Sequence, residues 1–223
     1  MEINLIPSGL SNKLFLIECN GVKKILRIFG TDMDGLIDHS LETKILNHLG
    51  QHNLAPKIDK TFNCGRVEQF IENSTVLSIE NLDNKIILKN LIEKIIGLHN
   101  LDINFIPKTD VLAERLKLWT NLASQIDNEH QEIFTKLPKL LSKLETINSQ
   151  IKFCHNDLTL GNILLNEKSI TLIDFEYAGY NFFEYDIANM LCEIGYSLEH
   201  EELIFLHILP KKYSKKLIFF MKI

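Results

Sequence analysis

The first third of the chain alternates apolar and polar positions in the way that β-strands do. The segments KLFLIEC and VKKILRIF, residues 13–19 and 22–29, are separated only by Asn20 and Gly21. An Asn-Gly pair readily adopts the two positive φ angles of a type I′ turn, so this pattern predicts a β-hairpin. The segments PKIDKTF and RVEQFI, residues 56–62 and 66–71, flank the turn NCG and predict a second hairpin.

Between the two hairpins, the apolar residues recur at helical spacing. The pattern predicts a helix from Leu36 to Leu49, with Asp32 or Asp34 as its N-cap and Gly50 at its end. Its apolar positions are Leu36, Ile37, Leu41, Ile45, Leu46 and Leu49. Residues 1–71 are therefore expected to run β-β-α-β-β.

After residue 72 the pattern changes to longer, helical periods. KIILKNLIEKIIGLHNL, residues 85–101, predicts an amphipathic helix, and residues 110–126 and 129–148 predict two more, the last broken at Pro138. Short strands are expected within 151–174, and the remainder reads as mostly helical. These elements predict an α+β fold with a small β-rich lobe at 1–72 and a helical lobe at 73–223.

The composition of the chain argues against a nucleic-acid-binding protein and against a membrane-spanning one. The chain has 45% hydrophobic and 24% charged residues, a net charge of −5 and no block of Lys and Arg, so no nucleic-acid partner is expected. Its longest apolar runs, such as LIFLHIL at 203–209, are too short to span a membrane. The four cysteines are scattered without a CxxC pair, which favours free thiols and a cytoplasmic location.

Polar residues interrupt an apolar run at CHNDLTLGNILL, residues 154–165. Burying an unpaired carboxylate is costly, so such a group normally has a partner, a metal or a chemical role. Asp157 lies five residues before Asn162, and Asp174 ends the next apolar run, SITLIDF. Two short strands joined by NEKS would bring Asn162 and Asp174 side by side, with Asp157 in the loop before them.

These three side chains are the types that kinase-type phosphoryl transfer uses. An Asn amide oxygen and an Asp carboxylate suit Mg²⁺, while a separate Asp can accept a hydroxyl proton. The plainer interpretation, an Asx-rich turn followed by the end of a strand, explains each fragment alone but not their order and spacing together.

The segment FCHNDLTLGNILLNEKSITLIDFEYAGYNFFEYDIANMLCE, residues 153–193, closely resembles the signature of the choline/ethanolamine kinase family. The resemblance implies a protein-kinase-like two-lobed fold and ATP-dependent phosphorylation of the hydroxyl of choline, ethanolamine or both. By the same resemblance, Asp157 is the catalytic residue, and Asn162 and Asp174 hold Mg²⁺.

The resemblance extends more loosely to the first lobe. SGLSN, residues 8–12 and including Ser8 and Gly9, looks like the family's loop over the nucleotide. ILRIFG carries Arg27, which would reach the phosphates, and Glu42 would pair with that arginine. GRVEQFI looks like the segment between the lobes, where Gln69 and Ile71 would flank adenine.

Aromatic and acidic residues are concentrated after Asp174, and together they suit an ammonium group through cation–π contacts and charge. The aromatic residues are Phe175, Tyr177, Tyr180, Phe182, Phe183 and Tyr185, with Glu176, Glu184, Asp186 and Glu193 among or after them. The three phenylalanines are expected in the core. The resemblance points to Glu193, with Asp157, as the carboxylate nearest the amino alcohol. Tyr177 and Tyr196 are further candidates for contact with the ammonium group, and a homodimer stays open.

Two other functions stay open at this stage. One is a pseudokinase or nucleotide-binding module that binds ATP without turnover. The other is a haloacid-dehalogenase-type phosphatase using Asp32 in DMDG, residues 32–35, although Gly30 and Thr31 separate Asp32 from the preceding strand.

Overall fold

The structure is a computed structural model that describes residues 2–7, 12–30, 37–109, 111–126 and 150–193, with single positions between 136 and 142. Its first sheet has five strands in the order β1-β2-β3-β5-β4, and every neighbouring pair is antiparallel. The strands are β1 Glu2–Ile6, β2 Asn12–Cys19, β3 Val22–Phe29, β4 Ile58–Phe62 and β5 Gly65–Gln69.

Both predicted hairpins are confirmed. Asn20 and Gly21 have φ angles of 52° and 76°, the left-handed pair that the β2–β3 turn requires. Strand β1 was not predicted, and it lies at the edge of the sheet beside β2. Ile3 and Leu5 on this strand are 53% and 64% exposed, and five residues are too few for periodicity alone to separate a strand from a loop.

Helix α1, His39–Gln51, differs from its prediction at both ends. Its N-cap is Asp38, whose side chain accepts the backbone N–H of Leu41 at 2.9 Å, so the assignment to Asp32 or Asp34 is wrong. Gly50 is inside the helix, where a Cβ atom would lie 3.2 Å from the Cα of Lys57.

Asn53, two residues after the last residue of α1, has a φ of 55°. The N–H of Asn53 donates to the carbonyl of Gly50 at 3.3 Å, and that of Leu54 donates to the carbonyl of Leu49 at 3.0 Å. This is a Schellman motif with Asn in the left-handed position that glycine usually occupies.

The short strands predicted within 151–174 are confirmed. Strands β6 Thr75–Val76, β8 Ile163–Asn166 and β9 Ser169–Leu172 form a three-stranded sheet in the order β6-β8-β9. Strands β7 Ile151–Cys154 and β10 Gly179–Phe182 form an antiparallel pair. Neither β6 nor β10 was predicted.

The described residues also contain the α-helices α2 Lys85–His99, α3 Val111–Ile126 and α4 Phe183–Glu193, and the first two match their predictions. Two 3-10 helices cover Ile79–Asp83 and Leu160–Asn162. The helix predicted at 129–148 lies almost wholly outside the described residues. Over the part of the chain that the structure describes, no helix is long and apolar enough to cross a membrane.

The chain divides into two compact units. Unit 1 is Met1–Leu98 with Thr159–Ala178, and unit 2 is His99–Leu158 with Gly179–Ile223. The core of unit 1 includes Ile45, Leu49 and Leu91, and that of unit 2 includes Ile103, Phe153 and Met190, each at most 1% exposed. These bounds differ from the lobes predicted from the sequence, and the lobe boundary at residue 72 stays a prediction.

Candidate active site

Asn162 and Asp174 stand at the two open ends of the β8–β9 hairpin. Ile163 pairs with Leu172, and the N–H of Ile173 donates to the carbonyl of Asn162 at 3.0 Å. Asp174 follows Ile173 directly and has a φ of 65°, a left-handed conformation that Asp tolerates better than most residues. The hairpin therefore brings these two positions close together in the backbone.

The donor types at this end of the hairpin fit Mg²⁺, which prefers carboxylate and amide oxygens. The side chain of Asp174 is 29% exposed, so its carboxylate is accessible to an ion. Its Oδ1 accepts a hydrogen bond from Nη1 of Arg27 at 3.1 Å. The assignment of Asn162 and Asp174 as metal ligands stays a prediction that these donors support.

Arg27 projects from β3 and is only 5% exposed. Its Nε donates to Oε1 of Glu68 at 3.0 Å, in addition to the bond from Nη1 to Asp174. Burial alone would lower the pKa of Arg27, but the charges of Glu68, Asp174 and Glu42 raise it above the usual value. Arg27 is therefore a fixed cation beside Asp174.

The predicted ion pair between Arg27 and Glu42 is corrected by the structure. Oε1 of Glu42 accepts from Nη2 of Arg66 at 2.5 Å, and Oε2 lies 3.5 Å from Nδ1 of His39. Burial would raise the pKa of Glu42, yet the hydrogen bond and charge of Arg66 lower it overall. Glu42 acts on Arg27 through its charge, while Glu68 makes the direct contact.

Arg66 and Glu68 are residues that the sequence analysis missed. Both lie on β5, where they are 1% and 5% exposed. Nε of Arg66 donates to the same Oε1 of Glu68 that Arg27 uses, at 2.6 Å. The available signal was two charges at positions i and i+2 of a predicted strand, which places both on one face of the sheet.

Asp157, the predicted catalytic residue, lies in unit 2 and is half-buried. The two residues before it are held by α4, because the backbone N–H groups of His155 and Asn156 donate to the carboxylate of Asp186 at 2.8 and 2.7 Å. Asn156 has a φ of 65°, and its Oδ1 accepts from Nδ2 of Asn181 at 2.7 Å. The loop is thus tied to α4 and β10 directly before Asp157.

Asp186 is fully buried and also lies 2.9 Å from Nε2 of His99, the last residue of α2. Burial would raise the pKa of Asp186, but the hydrogen bond and charge of His99, with the His155 contacts, lower it. Asp186 was among the carboxylates considered for the ammonium group. Its contacts instead give it a structural role in the loop.

The aromatic residues after Asp174 divide between buried and half-buried positions. Phe175 and Phe182 are 0% and 7% exposed, as predicted for core positions, whereas Phe183 is half-buried and has its ring centroid 6.0 Å from that of His99. Tyr180 is buried, and its hydroxyl accepts the N–H of Ile103 at 2.9 Å. Tyr177 is half-buried, and its role at the ammonium stays a prediction.

The remaining predicted residues have the following places. Gln69 ends β5, and its Oε1 accepts the backbone N–H of Lys57 at 3.3 Å. The carbonyl of Ile71 accepts from Oγ of Ser74 at 2.7 Å, so the adenine role of Gln69 and Ile71 stays a prediction. Outside the described part of the chain lie Ser8, Gly9, Asp32, Tyr196 and the side chain of Glu193.

Comparison with known proteins gives the same family as the motif. A family model described as choline/ethanolamine kinase matches residues 3–220. A protein of Arabidopsis thaliana named "Probable choline kinase 1" is 32% identical over 211 residues, covering 87% of this chain and 60% of the relative. The choline/ethanolamine kinase of Homo sapiens is 30% identical over 236 residues, covering 96% of this chain and 60% of the relative.

Among solved structures, the ethanolamine kinase of Plasmodium vivax superposes with a TM-score of 0.80 at 24% identity, covering 99% of this chain and 71% of the other. This likeness confirms the predicted protein-kinase-like α+β fold with its antiparallel N-terminal sheet. The chain spans 60% of the length of both curated relatives. With a family match over nearly all of its residues, the chain belongs to the choline/ethanolamine kinase family.

Proposed function

We propose that this protein transfers the γ-phosphoryl group of ATP to the hydroxyl of choline or ethanolamine. Membership of the family supports the reaction type, and the two curated relatives are named as a choline kinase and a choline/ethanolamine kinase.

One observation carries the proposal: the β8–β9 hairpin sets Asn162 beside Asp174, and Asp174 is bonded to the buried cation of Arg27. Phosphoryl transfer depends mainly on positioning and on neutralising phosphate charge. Asn162 and Asp174 would hold Mg²⁺, and the ion would neutralise negative charge on the phosphates of ATP. Arg27 adds a second positive charge that keeps its proton at any physiological pH.

Asp157 takes the role of general base in this proposal. It accepts a hydrogen bond from the alcohol and takes up its proton as the oxygen bonds to phosphorus and the bond to ADP breaks. The hydrogen bonds from His155 and Asn156 to Asp186 support this role, because they fix the backbone directly before the base. Such fixed positioning is a large part of enzymatic rate acceleration.

The binding of the two substrates completes the proposal. Ser8 and Gly9 would cover the phosphates, and Gln69 and Ile71 would flank adenine. Glu193, Tyr177 and Tyr196 would contact the ammonium group. A cytoplasmic location, supported by free cysteines among the described residues, and a homodimer are further predictions.

The test compares ADP release with choline and with ethanolamine, using the full chain and its Asp157→Asn variant. The variant keeps the size of the side chain but cannot accept the proton, so turnover is expected to fall by about 10²–10⁴-fold while MgATP binding persists. Asp59→Asn, on the exposed strand β4, is the matched control and should retain turnover.

Near-normal turnover of Asp157→Asn would overturn the proposed mechanism. MgATP binding by the wild-type protein without turnover of either amino alcohol would overturn the proposed function and favour a nucleotide-binding module.

A further inference from the structure

Four charged side chains form a buried cluster in unit 1, which we name the charge cluster: Arg27, Glu42, Arg66 and Glu68. They are 5%, 2%, 1% and 5% exposed, and the two positive charges balance the two negative ones. Charges removed from water to this extent persist only when paired and hydrogen-bonded. The hydrogen bonds within the cluster therefore hold each of the four side chains in a defined direction.

The strand register places two positive charges opposite each other, and Glu68 offsets their repulsion. Arg27 on β3 and Arg66 on β5 are direct cross-strand partners, a position in which like charges repel. Glu68 follows Arg66 by two residues and so shares its face of the sheet. Its Oε1 accepts Nε–H from both arginines, at 3.0 Å from Arg27 and 2.6 Å from Arg66.

The orientation of Arg27 depends on this contact. Its guanidinium is planar, so the bond from Nε to Glu68 and the bond from Nη1 to Asp174 at 3.1 Å together fix the plane and its direction. A lysine at this position has a single nitrogen at the end of a flexible chain and could not be fixed in the same way.

Arg66 also contacts Glu68, but its other hydrogen-bond partners lie on α1. Its Nη2 donates to Glu42 at 2.5 Å and its Nη1 to Oγ1 of Thr43 at 3.3 Å. The guanidinium also lies 5.4 Å from the ring centroid of Phe29, within cation–π range. Arg66 thus links α1 to β5 and balances the charges of Glu42 and Glu68.

We propose that Glu68 is a positioning residue for nucleotide binding: charge-balanced by Arg66, it directs Arg27 toward Asp174 and toward the phosphates of bound ATP. This inference rests on the proposed function, since it assumes that Arg27 contacts phosphate. By this inference, Arg66 and Glu68 of β5 contribute to the affinity for MgATP without contacting the nucleotide.

A double-mutant cycle on the full chain tests the inference, with the dissociation constant for MgATP measured by calorimetry in the absence of any amino alcohol. Arg27→Met should weaken binding by about tenfold or more, the size typical of a lost hydrogen bond to a charged group. Glu68→Met should weaken binding about tenfold in the wild-type background but by no more than about twofold when Arg27→Met is already present.

The difference between the two backgrounds distinguishes a residue that positions Arg27 from one that only stabilises the fold. A residue that merely stabilised the sheet would weaken binding by the same factor in both backgrounds. The matched control is Asp59→Asn, which removes the more exposed ion pair of Asp59 with Lys24 on the same sheet and should leave MgATP affinity unchanged. If Glu68→Met does not fold, as judged by its melting curve, Glu68→Asp replaces it, because the shorter side chain keeps the negative charge but draws the carboxylate away from the two arginine Nε atoms.

Equal factors in the two backgrounds, or unchanged MgATP affinity in the folded Glu68 variant, would overturn the inference. Turnover of choline and ethanolamine by the wild-type protein is measured in parallel, so failure of the proposed function is seen separately. A wild-type protein that does not bind MgATP would overturn both.

Discussion

Glu42 illustrates how single residues in this protein keep a charge without water. Burial would raise the pKa of its carboxyl, but the hydrogen bond and charge of Arg66, with the charge of Arg27, lower it below the ordinary value. Asp186 follows the same rule in unit 2, where His99 outweighs the cost of complete burial. In both cases the folded protein favours the ionised form more than the unfolded chain does.

This difference predicts a specific loss of stability in acid. The unfolded chain binds more protons below the ordinary pKa of Glu, near 4.5, so the free energy of unfolding should fall as pH decreases through and below this value. In Glu42→Gln that dependence should be shallower by up to about 1.4 kcal/mol per pH unit, because one linked proton is removed.

Urea unfolding between pH 3 and pH 6 measures this slope. Glu93→Gln serves as the control, since Glu93 is 62% exposed and 3.7 Å from Lys89 on the surface of α2. An unaltered slope in Glu42→Gln would contradict the prediction. At neutral pH the same variant should be less stable by up to about 3–5 kcal/mol, because the buried Arg66 keeps only Glu68 as a carboxylate partner.

At the scale of secondary-structure elements, the close approach of β3 and β5 decides where the charge cluster forms. Gly65 begins β5 opposite Ile28, and a Cβ atom on it would lie 2.2 Å from the carbonyl oxygen of Arg27. No side chain fits at that distance, so the strands can pair in this register only with glycine there. The pairing in turn sets Arg66 directly opposite Arg27.

Gly65→Ala is therefore expected to separate β3 from β5 and to destabilise the protein by roughly 3 kcal/mol or more, at the upper end of single substitutions. MgATP affinity should fall as well, since the position of Arg27 changes. Gly97→Ala in α2 is the comparison: its Cβ would lie 3.6 Å from Leu54, an ordinary contact, and alanine favours a helix by about 1 kcal/mol. Equal melting temperatures for the two variants would show that the close approach of Gly65 to the Arg27 carbonyl does not limit stability.

At the scale of the whole molecule, the chain passes between its two units three times, at residues 98–99, 158–159 and 178–179. The segment Thr159–Ala178 returns to unit 1, where β8 pairs with β6 and Asp174 bonds to Arg27. Unit 1 is therefore incomplete without a segment distant in sequence. Its buried residues from that segment are Ile163, Leu165, Ile170, Leu172, Phe175 and Ala178.

A fragment of residues 1–98 should accordingly show no cooperative thermal transition, although it contains the complete five-stranded sheet with α1. Deleting the segment removes much buried apolar surface, and each large buried side chain contributes about 1.5–3 kcal/mol. Circular dichroism melting of the fragment and of the full chain checks this. A cooperative transition of the fragment at the temperature of the full chain would show that the hairpin is dispensable for unit 1.

The sequence by itself determined those features that depend on neighbouring residues. Asn20-Gly21 specified the β2–β3 hairpin, helical spacing specified α2 and α3, and the motif at 153–193 specified the family. The β8–β9 hairpin that places Asn162 near Asp174 was also predictable, because both strands and their turn lie within the ten residues 163–172. Local dihedral preferences and side-chain periodicity are sufficient for such features.

Only the tertiary structure decided which carboxylate holds which arginine. Glu42, Glu68 and Asp174 are distant from one another in sequence, and any of them could have paired with Arg27. The register of β3 on β5 sets Arg66 opposite Arg27, and Glu68 lies between them. Glu42 is left to Arg66 because of how α1 is placed. Ion pairing acts over a few ångströms, so its partners are fixed only once strands and helices have packed.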